Sequence, residues 1–225
     1  MDETLIVAEN IHKIYNTKNK VHALRGIDLA VKRAEILAIY GPSGAGKSTL
    51  LHILSGLDTP DKGRVVFKGI DIAALEDSKR ARLINGSIGF VFQFYHLLDE
   101  FSALENIMLP ALLKRDAGKK RVRDKAEYIL NKVGLNNRAN HSPSELSGGE
   151  KQRVAICRAL INNPAVIFCD EPTGNLDSKT SSHIHDLLWE VSRKEGTTVI
   201  LVTHEKTLIE GSDRTLKIRD GMLEE

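Results

Sequence analysis

The sequence predicts an α/β fold with a helical insertion around residues 95 to 160, and three patterns carry that expectation. First, two continuous apolar runs, Ala165 to Cys169 and Val199 to Val202, flank a helical stretch with Ile184, Leu187, Leu188 and Val191. Strand, helix, strand in that order, with strands apolar on both faces, is a parallel crossover unit. Second, short β-type segments fill the first third: Leu5 to Ala8, Ala23 to Val31, Ile36 to Tyr40, Arg64 to Phe67 and Ile88 to Phe92. They are β-branched or aromatic, with Gly or Asp at the breaks. Third, the pattern between Leu98 and Ile161 is helical. Val122, Ala126, Ile129, Leu130 and Val133 recur at three- and four-residue steps, and Gly134 stands where a C-cap belongs.

Composition narrows the classes. At roughly 150 residues per domain, a chain of 225 residues makes one domain with a subdomain, or two small ones. Lys and Arg number 32 against 30 Asp and Glu, a net charge of +2. That balance excludes an acidic tail or a general polybasic nucleic-acid binder. The stretch Lys114 to Arg123 holds six cations and one Asp. Without interleaved aromatics to stack bases it reads as a solvated loop and helix start, and no nucleic-acid partner is expected. No apolar run exceeds five residues, whereas a membrane span needs about 20. The start Met1-Asp2-Glu3-Thr4 lacks a signal-peptide core. Cys157 and Cys169 both sit in apolar segments and are expected as buried, reduced thiols.

Gly41-Pro-Ser-Gly-Ala-Gly-Lys47-Ser48 fits the phosphate-loop pattern G-x-x-x-x-G-K-[ST]. The apolar run Ile36 to Tyr40 precedes it, and Thr49-Leu-Leu-His-Ile-Leu continues it as a helix. Glycines let several N–H groups turn towards one anion, and the helix N-terminus adds a favourable dipole. Lys47 is expected at the β- and γ-phosphates and the Ser48 hydroxyl at Mg²⁺. The nucleotide-binding set is therefore Gly41, Pro42, Ser43, Gly44, Ala45, Gly46, Lys47, Ser48 and Thr49. The bare alternative is a glycine-rich turn.

A phosphate loop needs an acidic partner for the metal. Asp170 ends the apolar segment Ala165 to Cys169, the end where α/β sheets place ligands. Asp170 is expected to hold Mg²⁺ directly or through water. Glu171 follows it and is read as the general base for the water that attacks the γ-phosphate.

Four further segments complete a pattern: Leu146-Ser147-Gly148-Gly149-Glu150, Gln93 at the end of Ile88 to Phe92, Gly174-Asn175-Leu176-Asp177, and His204 after Val199 to Val202. With the phosphate loop they resemble the nucleotide-binding subunit of ATP-binding cassette transporters, over nearly the whole chain. The resemblance implies a P-loop NTPase core of RecA type, an N-terminal antiparallel β subdomain and a helical subdomain carrying the signature. On this chain it implies a core over about 1–94 and 163–225 and a helical subdomain over about 95–162, in a single domain spanning 1–225. It implies that Tyr15 stacks on adenine and that Gln93 touches Mg²⁺ or water and senses the membrane subunit. It further implies that His204 contacts the γ-phosphate and that Asp177 lies on a loop crossing a dimer interface. Ser147, Gly148 and Gly149, at a helix start, would form a second anion cradle. In the family that cradle meets the γ-phosphate held by another subunit, which implies a head-to-tail homodimer with ATP between the copies. The commoner fifth residue of the signature is Gln; Glu150 stands here, and its side chain is expected to point away from a triphosphate.

Within the family, Ile88-Gly-Phe-Val-Phe-Gln-Phe-Tyr-His-Leu-Leu, Ala103-Leu-Glu-Asn-Ile-Met-Leu-Pro and Asp170-Glu-Pro-Thr-Gly-Asn-Leu-Asp resemble the LolD and MacB branch. That implies an ATPase energising integral membrane permease subunits from the cytoplasmic face of the bacterial inner membrane, in lipoprotein release. The end at Glu225 resembles the separate-subunit arrangement rather than the fused MacB one. An FtsE-like or MacB-like cassette, driving a division, mechanotransmission or efflux complex, is the alternative. Phe94, Tyr95, Leu97, Leu98 and Phe101, interrupted by Asp99 and Glu100, are expected to form a groove for a partner helix.

Overall fold

The computed structural model describes residues 4–16, 20–114 and 117–224. The first three residues of the acidic start, and Arg115 and Asp116 of the cationic stretch, lie outside the described residues. The chain opens with an antiparallel pair, β1 (Thr4–Asn16) and β2 (Lys20–Lys32). Next come β3 (Ile36–Tyr40), α1 (Lys47–Leu54), β4 (Lys62–Phe67), β5 (Ile70–Asp71), α2 (Asp77–Ser87) and β6 (Ile88–Phe92). Three helices succeed one another, α3 (Ala103–Leu112), α4 (Lys119–Lys132) and α5 (Gly148–Leu160). The chain closes with β7 (Val166–Asp170), α6 (Ser178–Glu195), β8 (Thr198–Val202), α7 (Lys206–Gly211), β9 (Arg214–Arg219) and β10 (Met222–Glu224).

Two sheets result. One is antiparallel in the order β2-β1-β4-β5; the other runs β10-β9-β3-β8-β7-β6, parallel except for β10. The expected α/β class is borne out. The parallel strands read as unbroken apolar runs because each has a core on both sides. Leu37 and Ile39 of β3, Phe168 of β7, and Ile200 and Val202 of β8 join α1 and the antiparallel sheet. Their neighbours Ile36, Ala38, Ile167, Cys169, Val199 and Leu201 pack with Ile156, Leu160, Ile184 and Leu188 of α5 and α6. Helix α1 thus lies between the two sheets, and the loop preceding it is held from both sides.

A third core joins α3, α4 and α5 through Leu104, Ile107, Ala126, Leu130 and Val154. Gly134 takes φ 71° after α4. Its N–H donates to Asn131 O at 2.9 Å, and Leu135 N–H donates to Leu130 O at 3.1 Å. These two bonds make a Schellman ending on the expected glycine, with Leu130 and Leu135 sealing it. Cys157 and Cys169 are buried free thiols. Burial pushes the Cys157 thiol up to about 12, so it carries no thiolate near neutrality.

Candidate nucleotide site

The phosphate loop joins β3 to α1 and is braced by backbone. A Cβ on Gly41 would overlap the Ile218 carbonyl of β9, and one on Gly46 the Ala23 carbonyl of β2. Gly46, the N-cap of α1, takes φ 103° and supplies no side-chain cap. The first-turn amides of α1 therefore face outward from an uncapped N-terminus, the arrangement that suits a phosphate. Ala45 O accepts from Gly221 N–H at 3.0 Å, fastening the loop to the turn before β10. Lys47 Nζ donates to the loop carbonyls of Gly41 and Pro42, at 2.9 and 3.0 Å.

The parallel sheet delivers the acidic residues to the same edge. Ser48 Oγ donates to Asp170 Oδ1 at 3.1 Å, joining the loop to the end of β7. Glu171 sits at φ 47°, a left-handed backbone that turns the chain off the sheet, and its N–H donates to Val202 O at 2.9 Å. Its Oε2 is buried and makes no aligned hydrogen bond among the described residues. Nδ1 of His204 lies 2.8 Å from it, on a side chain that is 69% exposed. Two residues from distant segments, each ending a parallel strand, thus meet at one carboxylate oxygen.

Gln93 follows β6. Its Nε2 donates to Asn175 Oδ1 at 3.4 Å, and Asn175 Nδ2 donates back to Gln93 O at 3.2 Å. Asp177 is the N-cap of α6 and accepts from Thr180 Oγ1 at 2.6 Å and from the N–H groups of Lys179 and Thr180. Those bonds, the Thr180 hydroxyl first, hold its carboxyl below the ordinary value.

The signature lies at the N-terminus of α5, with Ser147 as N-cap. Ser147 Oγ accepts from Glu150 N–H at 3.3 Å, and Glu150 Oε2 accepts from Ser147 N–H at 2.8 Å, a capping box. Glu150 Oε1 also accepts from Arg138 Nε at 3.0 Å. The Glu150 side chain is therefore folded onto its own helix end. The Ser147 N–H bond, opposed by burial and aided by the Ser147 hydroxyl and Arg138, keeps its pKa below the ordinary value. The N–H groups of Gly148 and Gly149 stand outside the box. Gly149 packs so closely on Thr180 of α6 that a Cβ would overlap the γ-methyl.

Tyr15, at the end of β1, reaches the helix that carries the phosphate loop. Its hydroxyl donates to Asp58 Oδ2 at 3.0 Å, on the turn after α1, and lies near Thr49 of α1 itself. The expected site residues therefore fall into three groups. The phosphate loop, Asp170, Glu171 and His204 converge directly, Gln93 pairs with Asn175 on the segment after Glu171, and Tyr15 flanks α1. The signature serine belongs to a separate helix end.

Sequence reasoning missed Arg158. From α5 its Nη1 and Nη2 donate to the carbonyls of His96 and Tyr95, at 2.5 and 2.7 Å. Tyr95 and His96 both have left-handed backbones, φ 58° and 49°. Beside this clamp lies a cleft of about 530 Å³ lined by Leu57, Ile84, Phe90, Phe92, His96 and Pro110 among others. The residues expected to form a groove lie beside this cleft. Leu97 packs on the helical core, while Phe94 and Leu98 are exposed beyond the cleft. The cleft itself is lined by residues of α2, β6 and α5, and α2 is too polar to announce itself by periodicity.

Comparison with known proteins agrees with this geometry. Residues 24–174 match the family described as ABC transporter. The lipoprotein-releasing system ATP-binding protein LolD of Porphyromonas gingivalis is 48% identical over 221 residues, covering 97% of this chain and 98% of that protein. LolD of Legionella pneumophila is 44% identical over 224 residues, covering 99% and 98%. Among solved structures, the dimeric bacterial ABC transporter cassette MJ0796 superposes with a TM-score of 0.91 at 39% identity, over 98% of this chain and 97% of that one. The post-hydrolysis dimer of the same cassette, bound to ADP and Pi, gives 0.90 at 38%, with the same coverage. A phosphate loop, a strand-end acid pair and a serine-capped signature helix, in a chain this similar to LolD along its whole length, place this protein in the ABC transporter family of ATP-hydrolysing cassettes.

Proposed function

We propose that this chain is the ATP-hydrolysing subunit of a membrane complex that releases lipoproteins from the bacterial inner membrane. The observation that carries the reading is the meeting of Ser48, Asp170, Glu171 and His204 at one sheet edge, above the uncapped α1. Near-full-length similarity to LolD supports the lipoprotein branch.

In this reading the backbone N–H groups between Gly41 and Thr49, Pro42 excepted, bind the β- and γ-phosphates, and Lys47 moves from its loop carbonyls onto them. The Ser48 hydroxyl, the Asp170 carboxylate and the Gln93 amide oxygen are hard oxygen donors. They fit Mg²⁺, which takes one or two carboxylates and leaves its other positions to phosphates and water. When bound, Mg²⁺ supplies positive charge at the phosphoryl oxygens. Glu171 accepts the proton of the attacking water on the buried Oε2 that has no aligned donor. His204, whose Nδ1 lies 2.8 Å from that oxygen, contacts the γ-phosphate. Tyr15 stacks on the adenine. Ser147, Gly148 and Gly149 bind the nucleotide of a second copy; that a similar cassette, MJ0796, is dimeric supports a second copy. Among the described residues no helix is long and apolar enough to cross a membrane. In this reading the chain attaches peripherally, on the cytoplasmic face, as the likeness to LolD supports, with the cleft beside Arg158 receiving a helix of the permease subunits. Residues of about 95–162 act as the helical subdomain of a single cassette domain.

The test is reconstitution of the chain with its membrane subunits in vesicles carrying a labelled lipoprotein. ATP should drive transfer of the lipoprotein to a soluble carrier. Glu171→Gln should retain ATP binding and lower turnover ~10²- to 10⁴-fold. Full turnover in that variant excludes Glu171 as base; turnover without lipoprotein release excludes the lipoprotein branch.

A further inference from the structure

The phosphate end of the site is fixed by backbone, but the other end depends on one exposed aromatic on a strand terminus. That ring is held from a distance. Lys13, two residues before Tyr15 on β1, is buried, with 9% exposure. Its Nζ donates to Asp58 Oδ1 and to Thr59 O, both at 2.7 Å. Asp58 also accepts from Thr59 N–H at 2.7 Å, while its second oxygen takes the Tyr15 hydroxyl at 3.0 Å. The ammonium of Lys13 lies 5.3 Å from the centre of the Tyr15 ring, within reach of a cation–π contact. Burial works against the Asp58 carboxylate, but the bonds from Lys13, Thr59 and Tyr15 outweigh it and keep its pKa below the ordinary value.

Asp58 is in turn fastened to the phosphate helix. The N–H groups of Leu57 and Asp58 both donate to His52 O of α1, at 3.0 and 3.1 Å. Asp61 closes the clasp from the other side, donating its N–H to His12 O at 2.8 Å and accepting from Ile14 N–H at 2.5 Å. The ring of Tyr15 is therefore indexed to α1, the element that presents the phosphate-binding amides.

We propose that Asp58 and Lys13 are positioning residues that set the Tyr15 ring at a fixed reach from the phosphate loop, so that a purine nucleotide is recognised by its base and its phosphates together. The inference rests on the nucleotide reading above and adds residues to it. Asp58 has the central part, because one carboxylate bonds both the ring's hydroxyl and the cation beside the ring. A ring free to rotate pays ordering entropy when it stacks; a tethered one has paid it in folding.

The experiment compares ATP with inorganic triphosphate on the full chain. Asp58→Asn should raise KM for ATP about three- to tenfold, the loss expected for one ordinary net hydrogen bond, and leave kcat within about twofold. Its affinity for inorganic triphosphate should not change. Tyr15→Phe, which keeps the ring and removes only the tether, should reproduce most of the KM rise, and it serves equally if Asp58→Asn fails to fold. In a Tyr15→Ala background, Asp58→Asn should add nothing, since its effect runs through the ring. The proposal is overturned if triphosphate affinity falls along with ATP affinity, if Asp58→Asn still acts without the ring, or if Tyr15→Phe binds ATP as the parent does. A Tyr15→Ala variant with unchanged ATP affinity, beside a Lys47→Ala variant that has lost it, sinks this inference and leaves the nucleotide site standing. Unchanged affinity in Lys47→Ala sinks the nucleotide site itself.

Discussion

Helices α1 and α5 begin in opposite ways. The first starts on a glycine in left-handed conformation, with no side-chain cap and with backbone carbonyls pressed against its loop. The second starts on a serine, with a reciprocal capping box that occupies the Ser147 and Glu150 amides. An N-terminus offers about four amides and roughly half a positive charge. At α1 these are left to a ligand. At α5 part of the offer is already taken by a carboxylate of the same chain. The same local feature thus serves as a dedicated anion seat in one place and as a partly self-satisfied one in the other.

The largest test of that contrast sets Lys47→Ala against Ser147→Arg. Lys47→Ala should lose ATP binding while keeping its melting temperature, because the lysine bonds loop carbonyls and no core group. Ser147→Arg should bind ATP as a monomer and fail to dimerise with it, read by light scattering. Normal ATP-driven dimers in Ser147→Arg would place the α5 end outside the shared site.

A smaller difference should appear in stability. Gly46→Ala meets the Ala23 carbonyl at φ 103°, and neither can yield. Gly149→Ala meets a side-chain methyl of Thr180, which can turn. In denaturant titrations Gly149→Ala should cost about 1–3 kcal/mol, and Gly46→Ala more. The reverse order would mean that the phosphate loop is the softer of the two.

The smallest effect belongs to Glu150→Gln. Gln can keep the capping box, but it loses the Arg138 ion pair, worth about 0.2–1 kcal/mol for such a pair. The sign with pH follows from the lowered pKa of Glu150. Its contribution is present above the unfolded-state value and is lost as pH falls through the folded-state one. The stability gap between parent and Glu150→Gln should therefore narrow on acidification. A gap that widens in acid would show that the carboxylate is not stabilised by its helix end.

What could be read in the sequence was what neighbours in the chain decide. The phosphate loop, Asp170–Glu171 and the signature are contiguous words whose chemistry needs those spacings, and the parallel strands show because two cores demand continuous apolar runs. Other features were illegible for physical reasons. Strand β1 runs far beyond Leu5 to Ala8, because register shifts between Ala8 and Ile11 break the alternation that would mark it. Helix α2 buries no residue and so has no stripe. Asp58 and Arg158 act on partners 43 and 63 positions away, and no local pattern encodes such a meeting.

The Arg158 clamp has a thermodynamic consequence. Tyr95 and His96 hold backbone conformations that cost of order 1–3 kcal/mol each for ordinary residues, and one guanidinium secures both carbonyls. This segment starts two residues after Gln93 and edges the cleft through His96. If an occupant of the cleft and a ligand at Gln93 both shift this segment, they draw on the same small reserve of strain. Linkage makes such an exchange symmetric: the factor by which an occupant of the cleft changes nucleotide affinity is the factor by which nucleotide changes the occupant's affinity. One arginine would then be the point of exchange between the two ligands, and its loss should bring that shared factor towards one.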